Sequence, residues 1–323
     1  MSRRLKNSLE ELIGETQFPF YPGKQLLDCS LISNEAIDLI KRRGQPRVIF
    51  KADFSKAYDT IDWGFLMFMM EKMGFSRRWR DWILRCISSS QISVLINGSP
   101  SRSFSIRRGL RQGCPLSPML FNLAAEALSA LLKKAASLGF FNGVNFGNQG
   151  VSITHLQFAD DLIVFCGASS KEICNIISTL RGFEIVSGLK LNLSKSDLIG
   201  INIEVSRTQA WADSIGCKRK ELSCKYLGVP LGINKNSVVM WNPVIEKFES
   251  KFAGWKSKLL SLGGRIVLIK VVLTNLPVFY MFLFHMPTAV SSKLNKMVAK
   301  FLWDGLEKRK IHWLSWETLC KPK

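Results

Sequence analysis

The stretch "HLQFADDLIVFCG", His155 to Gly167, sets Asp160 and Asp161 side by side between apolar runs. Leu156 and Phe158 precede the pair, and Leu162, Ile163, Val164 and Phe165 follow it. Such flanks predict two strands joined by a tight turn that carries both aspartates. Adjacent carboxylates repel, and Asp is common in solvated turns, but these flanks set the turn against a core. A divalent cation would offset the repulsion. Mg²⁺ suits hard oxygen ligands, because it keeps several waters and takes one or two carboxylates together with substrate phosphates. From this stretch alone a plain turn and a metal site both stay open.

A second group of carboxylates stands in "FKADFSKAYDTIDW", residues 50 to 63. "RVIFKADF" (47 to 54) follows Pro46 and is rich in branched and aromatic residues, so it reads as a buried strand ending near Asp53. An unpaired charge there is costly. Asp62 has a simpler role as a helix N-cap before "WGFLMFMMEKMGF", with Gly74 as the stop. If the strand ending at Asp53 lies beside the 151–167 hairpin, carboxylates from two strands converge, as a two-metal phosphoryl-transfer site requires. Lys51 shares a strand face with Asp53 and could face a triphosphate.

Working outward, residues 25 to 44 carry a helical apolar stripe closed by Lys41, Arg42, Arg43 and Gly44. "QISVLING" and "SRSFSIRRG" read as strands around the turn "NGSP". Ser117 is placed to cap, with Pro118 at the first position, a long helix of period Leu120, Leu123, Ala124, Leu128, Leu131. Another amphipathic helix follows the aspartate hairpin, and short strands follow that. The alternation lacks a strict βαβ rhythm, which favours an α+β fold. Beyond about residue 235, Trp and Lys on helical runs indicate a separate basic helical module. The apolar run 271 to 287 contains Asn275 and Pro277 and is marginal for a membrane span, so a buried helix or strand pair is expected.

Lys and Arg number 45 against 25 Asp and Glu, a formal charge of +20, which attracts polyanions and nucleic acid first among them. The eight cysteines show no CxxC pair and there are three histidines, so no zinc spacing is present; buried free thiols are expected. No nucleophile triad or Gly-rich dinucleotide loop points to a metabolic enzyme. "MSRRLKNSLEELIGE" has no apolar core of a signal peptide, so no secretory address is expected; the compartment stays open between cytoplasm and nucleus, the nuclear one being implied only by the resemblance given next.

"KADFSKAYD", "GLRQGCPLSPMLFNL", "FADD", "GLKLNLSKS" and "YLGVPLG", in that order, resemble the successive palm motifs of reverse transcriptases, specifically those of plant LINE-type (non-LTR) retrotransposons. "GKQLLDCSLISNEAID" upstream and "KFLWDG" and "KIHWLSWETLCKPK" downstream are similar to that family as well. The resemblance implies a right-hand polymerase, with fingers and palm built on an antiparallel sheet with helices over 1–225. The primer-grip turn, a helical thumb and the start of a basic connection region would span 226–323. It implies an RNA-directed DNA polymerase that uses an RNA template, a DNA primer, dNTPs and two Mg²⁺ ions, with Asp53, Asp160 and Asp161 as the metal and catalytic carboxylates.

The same resemblance makes Tyr58 the aromatic that excludes a ribose 2′-hydroxyl, and Lys195 the lysine that protonates or stabilises the leaving pyrophosphate. Tyr226, Leu227 and Gly228 become the turn that grips the primer end. In "RQGCPLSP", Arg111 could contact phosphate, Gln112 offers amide hydrogen bonds near the base pair, and Gly113 permits close backbone approach. Trp255, Lys256, Lys258, Arg265 and Lys270 suit a thumb that tracks a nucleic-acid backbone. The chain begins just before "GKQLLD" and carries neither an endonuclease nor an RNase H domain, so a core fragment is expected, with such partners supplied in trans. An inactive nucleic-acid-binding remnant and an intron-maturase-like protein stay open as alternatives.

Overall fold

In the computed structural model, residues 1–14, 16–17, 25–147, 151–234, 237–255 and 260–303 are described. The chain divides into two units, Met1–Leu227 and Gly228–Lys323. The first opens with α1 (Ser2–Leu12), which buries Leu5 and Leu9 one turn apart, and α2 (Leu26–Arg43). Gln25 and Asp28 form a capping box on α2, and Gly44 ends it in the left-handed conformation after three basic residues.

Strand β1 (Arg47–Ala52) follows, and Asp53 separates it from β2 (Phe54–Ser55). A single turn, α3 (Ala57–Thr60), leads into α4 (Trp63–Lys72) and α5 (Arg77–Ser88). Asp62 caps α4 as expected, its carboxylate accepting from the Phe65 amide at 2.8 Å. The expected hairpin is present in two pieces. Strand β3 (Gln91–Ile92) is matched later by β6 (Phe104–Ser105), and β4 (Leu95–Ile96) pairs β5 (Ser99–Pro100) across Asn97 and Gly98, both at positive φ. Every residue of these four strands is exposed, so no core beneath them holds a longer ladder together.

Helix α6 (Ser117–Ser137) is the long helix of the unit. After it come β7 (Val144–Phe146), β8 (Val151–Ile153), β9 (His155–Phe158), β10 (Asp161–Gly167), α7 (Ser170–Ser187), β11 (Lys190–Leu191), β12 (Asp197–Ile201), α8 (Val205–Ile215), β13 (Lys218–Lys220) and β14 (Lys225–Tyr226). The main sheet has the order β13-β12-β1-β10-β9, antiparallel except for the parallel pair β12 and β13, which α8 connects.

Val48, Phe50 and Ala52 of β1, with Leu162, Val164 and Leu198 beside them, face a core that also takes Leu66 of α4, Leu120, Phe121 and Leu128 of α6, and Ile176, Leu180 and Phe183 of α7. On the other face Ile49, Ile163, Phe165 and Ile199 are also fully buried, which is why these strands read as continuous apolar runs. The buried edge strand carries one polar chain: Thr16 Oγ1 and Ser129 Oγ lie 2.7 Å apart, Ser129 Oγ is 3.0 Å from His155 Nε2, and Thr154 Oγ1 is 2.9 Å from His155 Nδ1. Burial, with Lys133 nearby, pushes the His155 imidazole down to about 3.

The second unit contains β15 (Val229–Pro230), α9 (Asn242–Gly254), α10 (Leu262–Leu268), α11 (Val278–Met281) and α12 (Thr288–Trp303), around Trp241, Val244, Phe248, Leu273, Tyr280 and Leu294. The apolar run 271–287 is neither one helix nor a strand pair. It holds the end of a π-helical turn (Ile269–Leu273) and the short α11, and Met281 and Phe282 are exposed. No helix among the described residues is long and apolar enough to cross a membrane. Of the basic residues expected on this module, Lys270 is exposed but Arg265 is buried, donating to the carbonyls of Leu302 (2.9 Å) and Leu260 (3.1 Å). Arg265 therefore ties helices together instead of facing a phosphate backbone. Lys256, Lys258 and the "KIHWLSWETLCKPK" segment lie outside the described residues. Cys29, Cys166 and Cys217 are buried free thiols, whereas Cys86 and Cys174 are exposed, against the expectation of burial.

Candidate active site

The register of β1 against β10 pairs Ala52 with Leu162, so the next step along each strand brings Asp53 and Asp161 opposite one another. Strand β10 in turn pairs with β9 through Asp161 and Phe158, leaving Ala159 and Asp160 as the two-residue turn. The expected turn thus carries Asp160 alone, and Asp161 is the first residue of the strand. Ala159 is held at φ +53 and is almost completely buried. A non-glycine residue in this region is strained, and the core contact of its methyl group holds it there.

Asp160 is exposed, while Asp53 and Asp161 are half-buried. Burial pushes the Asp161 carboxyl up; Lys51 pulls it back, and the charges of Asp160 and Asp53 push it further up. The three carboxylates therefore share one electrostatic site, with Lys51 as the cation acting on Asp161. Lys51 itself donates to the Lys225 carbonyl at 3.2 Å.

Asp53 is held from behind. Its amide donates to Ser196 Oγ (3.1 Å) and its carbonyl accepts from the Asn192 amide (2.8 Å). Both partners belong to the turn between β11 and β12, and that turn carries Lys195, whose side chain is exposed. Lys195 is thus on the segment bound to Asp53, which its spacing in the sequence does not reveal.

Tyr58 stacks on Phe121 with centroids 4.8 Å apart and planes at 11°. Its hydroxyl is pushed up by burial and by Asp160, so the ring lies near the turn. The Tyr58 carbonyl accepts from the Leu110 amide at 2.6 Å, and Ile61 accepts from the Gly109 amide at 2.8 Å. These bonds dock the entrance of the "RQGCPLSP" loop on the Tyr58 segment. Gly109 is required there: at φ +87, a Cβ would come 2.6 Å from the Asp59 carbonyl oxygen.

Arg111, Gln112 and Gly113 are exposed, and Gly113, at φ +82, has open space around it. Ser117 does not cap α6. It lies inside the helix, buried, and its hydroxyl donates to the Arg111 carbonyl at 2.6 Å, fixing the loop from below. Burial raises the Cys114 thiol, but the Leu116 and Ser117 amides and the nearby Ser117 side chain, with Arg111, bring it below the ordinary thiol value.

At the end of the unit, Leu227 and Gly228 have φ +50 and +83, the consecutive left-handed residues of a tight turn. Tyr226 before them is fully buried, with its hydroxyl 3.3 Å from Cys29 Sγ. The side chain offered by this turn is Leu227, not the tyrosine.

The donor types suit a divalent cation: by register Asp53 lies opposite Asp161, Asp160 precedes it in the turn, and burial together with the two other carboxylates raises Asp161. Among the described residues no three His, Cys, Asp or Glu side chains are already grouped around a metal position.

Residues 1–231 match the family model described as reverse transcriptase (RNA-dependent DNA polymerase). The chain belongs to the reverse transcriptase family. It is 26% identical over 325 residues, 98% of its length and 23% of the relative's, to the transposon TX1 uncharacterized 149 kDa protein of Xenopus laevis. It is 27% identical over 57% of its length, and 26% of the relative's, to a Pol polyprotein from the type-1 retrotransposable element R2 of Popillia japonica. These relatives are of the non-LTR retrotransposon type, and the chain spans about a quarter of their length. Telomerase from Candida albicans, solved with a fragment of telomeric RNA, superposes with a TM-score of 0.51 at 12% identity over 94% of this chain and 50% of that one. That likeness shows the polymerase fold.

The sequence pointed to Asp53, Asp160, Asp161 and Tyr58, and the structure brings these together. It missed Ser196 and Asn192 behind Asp53, Gly109 and Ser117. Ser196 and Ser117 lie inside quoted motifs, but a serine there reads equally well as a turn or a cap.

Proposed function

We propose that the chain is the RNA-directed DNA polymerase core of a plant LINE-type retrotransposon, adding dNTPs to a DNA primer 3′-hydroxyl on an RNA template. The observation that carries this reading is the strand register that sets Asp53 opposite the Ala159–Asp160 turn and Asp161. Asp53 and Asp160, supported by Asp161, would hold two Mg²⁺ ions, which when bound lower the pKa of the primer hydroxyl and neutralise the triphosphate.

The protein's own groups have distinct tasks. Ser196 and Asn192 hold the Asp53 backbone, and its carboxylate would face the turn. Tyr58, backed by Phe121, presents a flat wall where a sugar would rest, and a ribose 2′-hydroxyl would collide with it. Gln112 and the Gly113 backbone would lie against the nascent base pair, with Arg111 on a phosphate. Lys195 would stabilise, or give a proton to, the leaving pyrophosphate. Residues 1–225 would form fingers and palm. In 226–323 the turn Tyr226-Leu227-Gly228 would grip the primer, through Leu227 and the backbone, ahead of a helical thumb.

The test is extension of oligo(dT) on poly(rA) with Mg²⁺ and labelled dTTP, comparing the chain with Asp160→Asn. Incorporation by the unmodified chain that the substitution abolishes is the expected result. Equal incorporation by both would remove the catalytic turn from the reading. Tight primer–template binding with no incorporation by either would make the chain a nucleic-acid-binding remnant.

A further inference from the structure

Lys51 is a cation set into the middle strand of the main sheet, two residues before Asp53 and on the same strand face. In the register of β1 against β10 it stands opposite Ile163, so Asp161 is its diagonal neighbour on that face, at the spacing of about 7–8 Å usual for such pairs. On the other side it pairs in register with Asp197 of β12. That acid has a cation of its own, since Lys220 Nζ lies 2.9 Å from Asp197 Oδ2. Lys51 is therefore left to Asp161. Burial raises the Asp161 carboxyl, Lys51 pulls it back, and Asp160 and Asp53 push it further up.

The ammonium is also anchored. It donates to the Lys225 carbonyl at 3.2 Å, and Lys225 opens β14, the strand that leads into the left-handed pair Leu227 and Gly228. Tyr226, next along β14, has its hydroxyl pushed up by burial, by the Cys29 thiol beside it and by the Asp161 charge. Strand β14 and Asp161 are thus neighbours, and Lys51 stands between them with one fixed partner, a carbonyl, and one charged one.

We propose that Lys51 is the resident counter-ion of this site: held on the Lys225 carbonyl, its ammonium stands in for a divalent cation beside Asp161 when none is bound, and competes with that cation for the carboxylates. Lys51 is a positioning residue in this role. It keeps mutually repelling acids together in the metal-free chain and, by the same charge, lowers their affinity for the ion. Entry of the ion leaves the ammonium with the Lys225 carbonyl alone, so the site favours an ion that arrives with the extra negative charge of substrate phosphates. The inference rests on the reading of the three aspartates as metal ligands, and its tests need no turnover.

Lys51→Met keeps the apolar stem and removes the charge. Lys51→Gln is a second neutral form, which keeps a donor, and Lys51→Arg keeps the charge. The full chain, free of nucleic acid and dNTPs, is titrated with Mn²⁺, and the unbound ion is followed by its electron spin resonance signal; Asp160→Asn marks how much of the binding belongs to the site. Both neutral variants are expected to bind Mn²⁺ about ten-fold or more tightly than the unmodified chain, in line with the one or more pKa units by which a neighbouring charge moves a carboxylate. Lys51→Arg should bind as the unmodified chain does. Thermal unfolding gives a second sign. Without metal the neutral variants should have a lower Tm, and saturating Mn²⁺ should shrink that deficit, because the ion replaces the missing charge. With Asp161→Asn already in place, Lys51→Met should lower Tm less, since the charge it serves is gone.

Neutral variants that bind Mn²⁺ no more tightly, or a Tm deficit that is the same with and without the ion, overturn the inference and leave Lys51 as a strut between strands. If Asp160→Asn removes no Mn²⁺ binding from any of these chains, the inference falls together with the metal reading of the aspartates. Tighter binding by the neutral variants of a chain that never extends a primer keeps the inference and loses the polymerase reading. Primer extension by a chain whose neutral variants bind Mn²⁺ unchanged does the reverse.

Discussion

Replacing Gly109 by alanine tests how the "RQGCPLSP" loop is held. The position has φ +87, and an alanine there costs about 1–2 kcal/mol for the left-handed backbone alone. Its Cβ would also lie 2.6 Å from the Asp59 carbonyl oxygen, a backbone atom that cannot rotate away. Relief requires the 109–110 segment to lift, which weakens the amide bonds from Gly109 to Ile61 (2.8 Å) and from Leu110 to Tyr58 (2.6 Å), each contributing about 1 kcal/mol. The sum is about 3–4 kcal/mol, which for a unit of this size lowers Tm by about 6–16 °C. Gly113→Ala is the control: its φ is +82 but nothing lies within contact of a Cβ, so only the backbone cost of about 1–2 kcal/mol remains. Thermal unfolding of both variants reads the difference, and primer extension reads the consequence, a dNTP KM that rises more than kcat falls as Arg111–Gly113 moves away from Tyr58. Equal Tm values for the two variants would refute the close approach as the reason for this glycine.

Tyr58→Val should raise ribonucleotide incorporation relative to dNTPs and, by removing the stack on Phe121, cost about 0.5–1.5 kcal/mol beyond the lost area; Tyr58→Phe should keep both selectivity and stability. Ser117→Ala removes the hydroxyl bond to the Arg111 carbonyl and one of the groups that lower the Cys114 thiol. Stability should fall by about 1 kcal/mol, and the pH at which Cys114 reacts half-maximally with iodoacetamide should move up. His155 is held down to about 3, well below its ordinary value near 6.5. A depressed folded value means that the contribution is complete above about pH 6.5 and is lost as the unfolded chain takes up a proton between there and about 3. Denaturant midpoints should therefore fall over that range, and His155→Gln should flatten the slope.

The apolar runs before Asp53 and on each side of Asp160–Asp161 were enough to mark three buried strands, because strands buried on both faces announce themselves by composition alone; their place in one antiparallel sheet came with the family resemblance. Helix ends were readable where a cap or a glycine brackets a stripe, as at Gly44 or at Asp62 and Gly74. Helix α5 was not foreseen, since four arginines and an aspartate among its twelve residues obscure the narrow stripe that buries Ile83. Ser117 was misread because the hydroxyl's partner, the Arg111 carbonyl, reaches it through a loop whose path no local pattern fixes. Arg265 looked like a surface cation, and its burial depends on carbonyls contributed by two other segments, Leu260 and Leu302. In the site, residue types that chemistry demands were legible, and the residues that hold them in place were not.

Strand β1, in the middle of its sheet, lies between two partners that are made much later. Its neighbours β10 and β12 end at Gly167 and Ile201, so about 150 residues must be synthesised after Ala52 before the second side of the strand can be covered. At about 5–20 residues per second, the ribosome needs about 7–30 seconds for that length. During this interval an apolar strand with open edges waits on the nascent chain, which is the kind of segment that chaperones shield and that misfolding recruits. Asp53 meets Asp160 and Asp161 only once β10 has been made, so a product that terminates before Gly167 carries no assembled site.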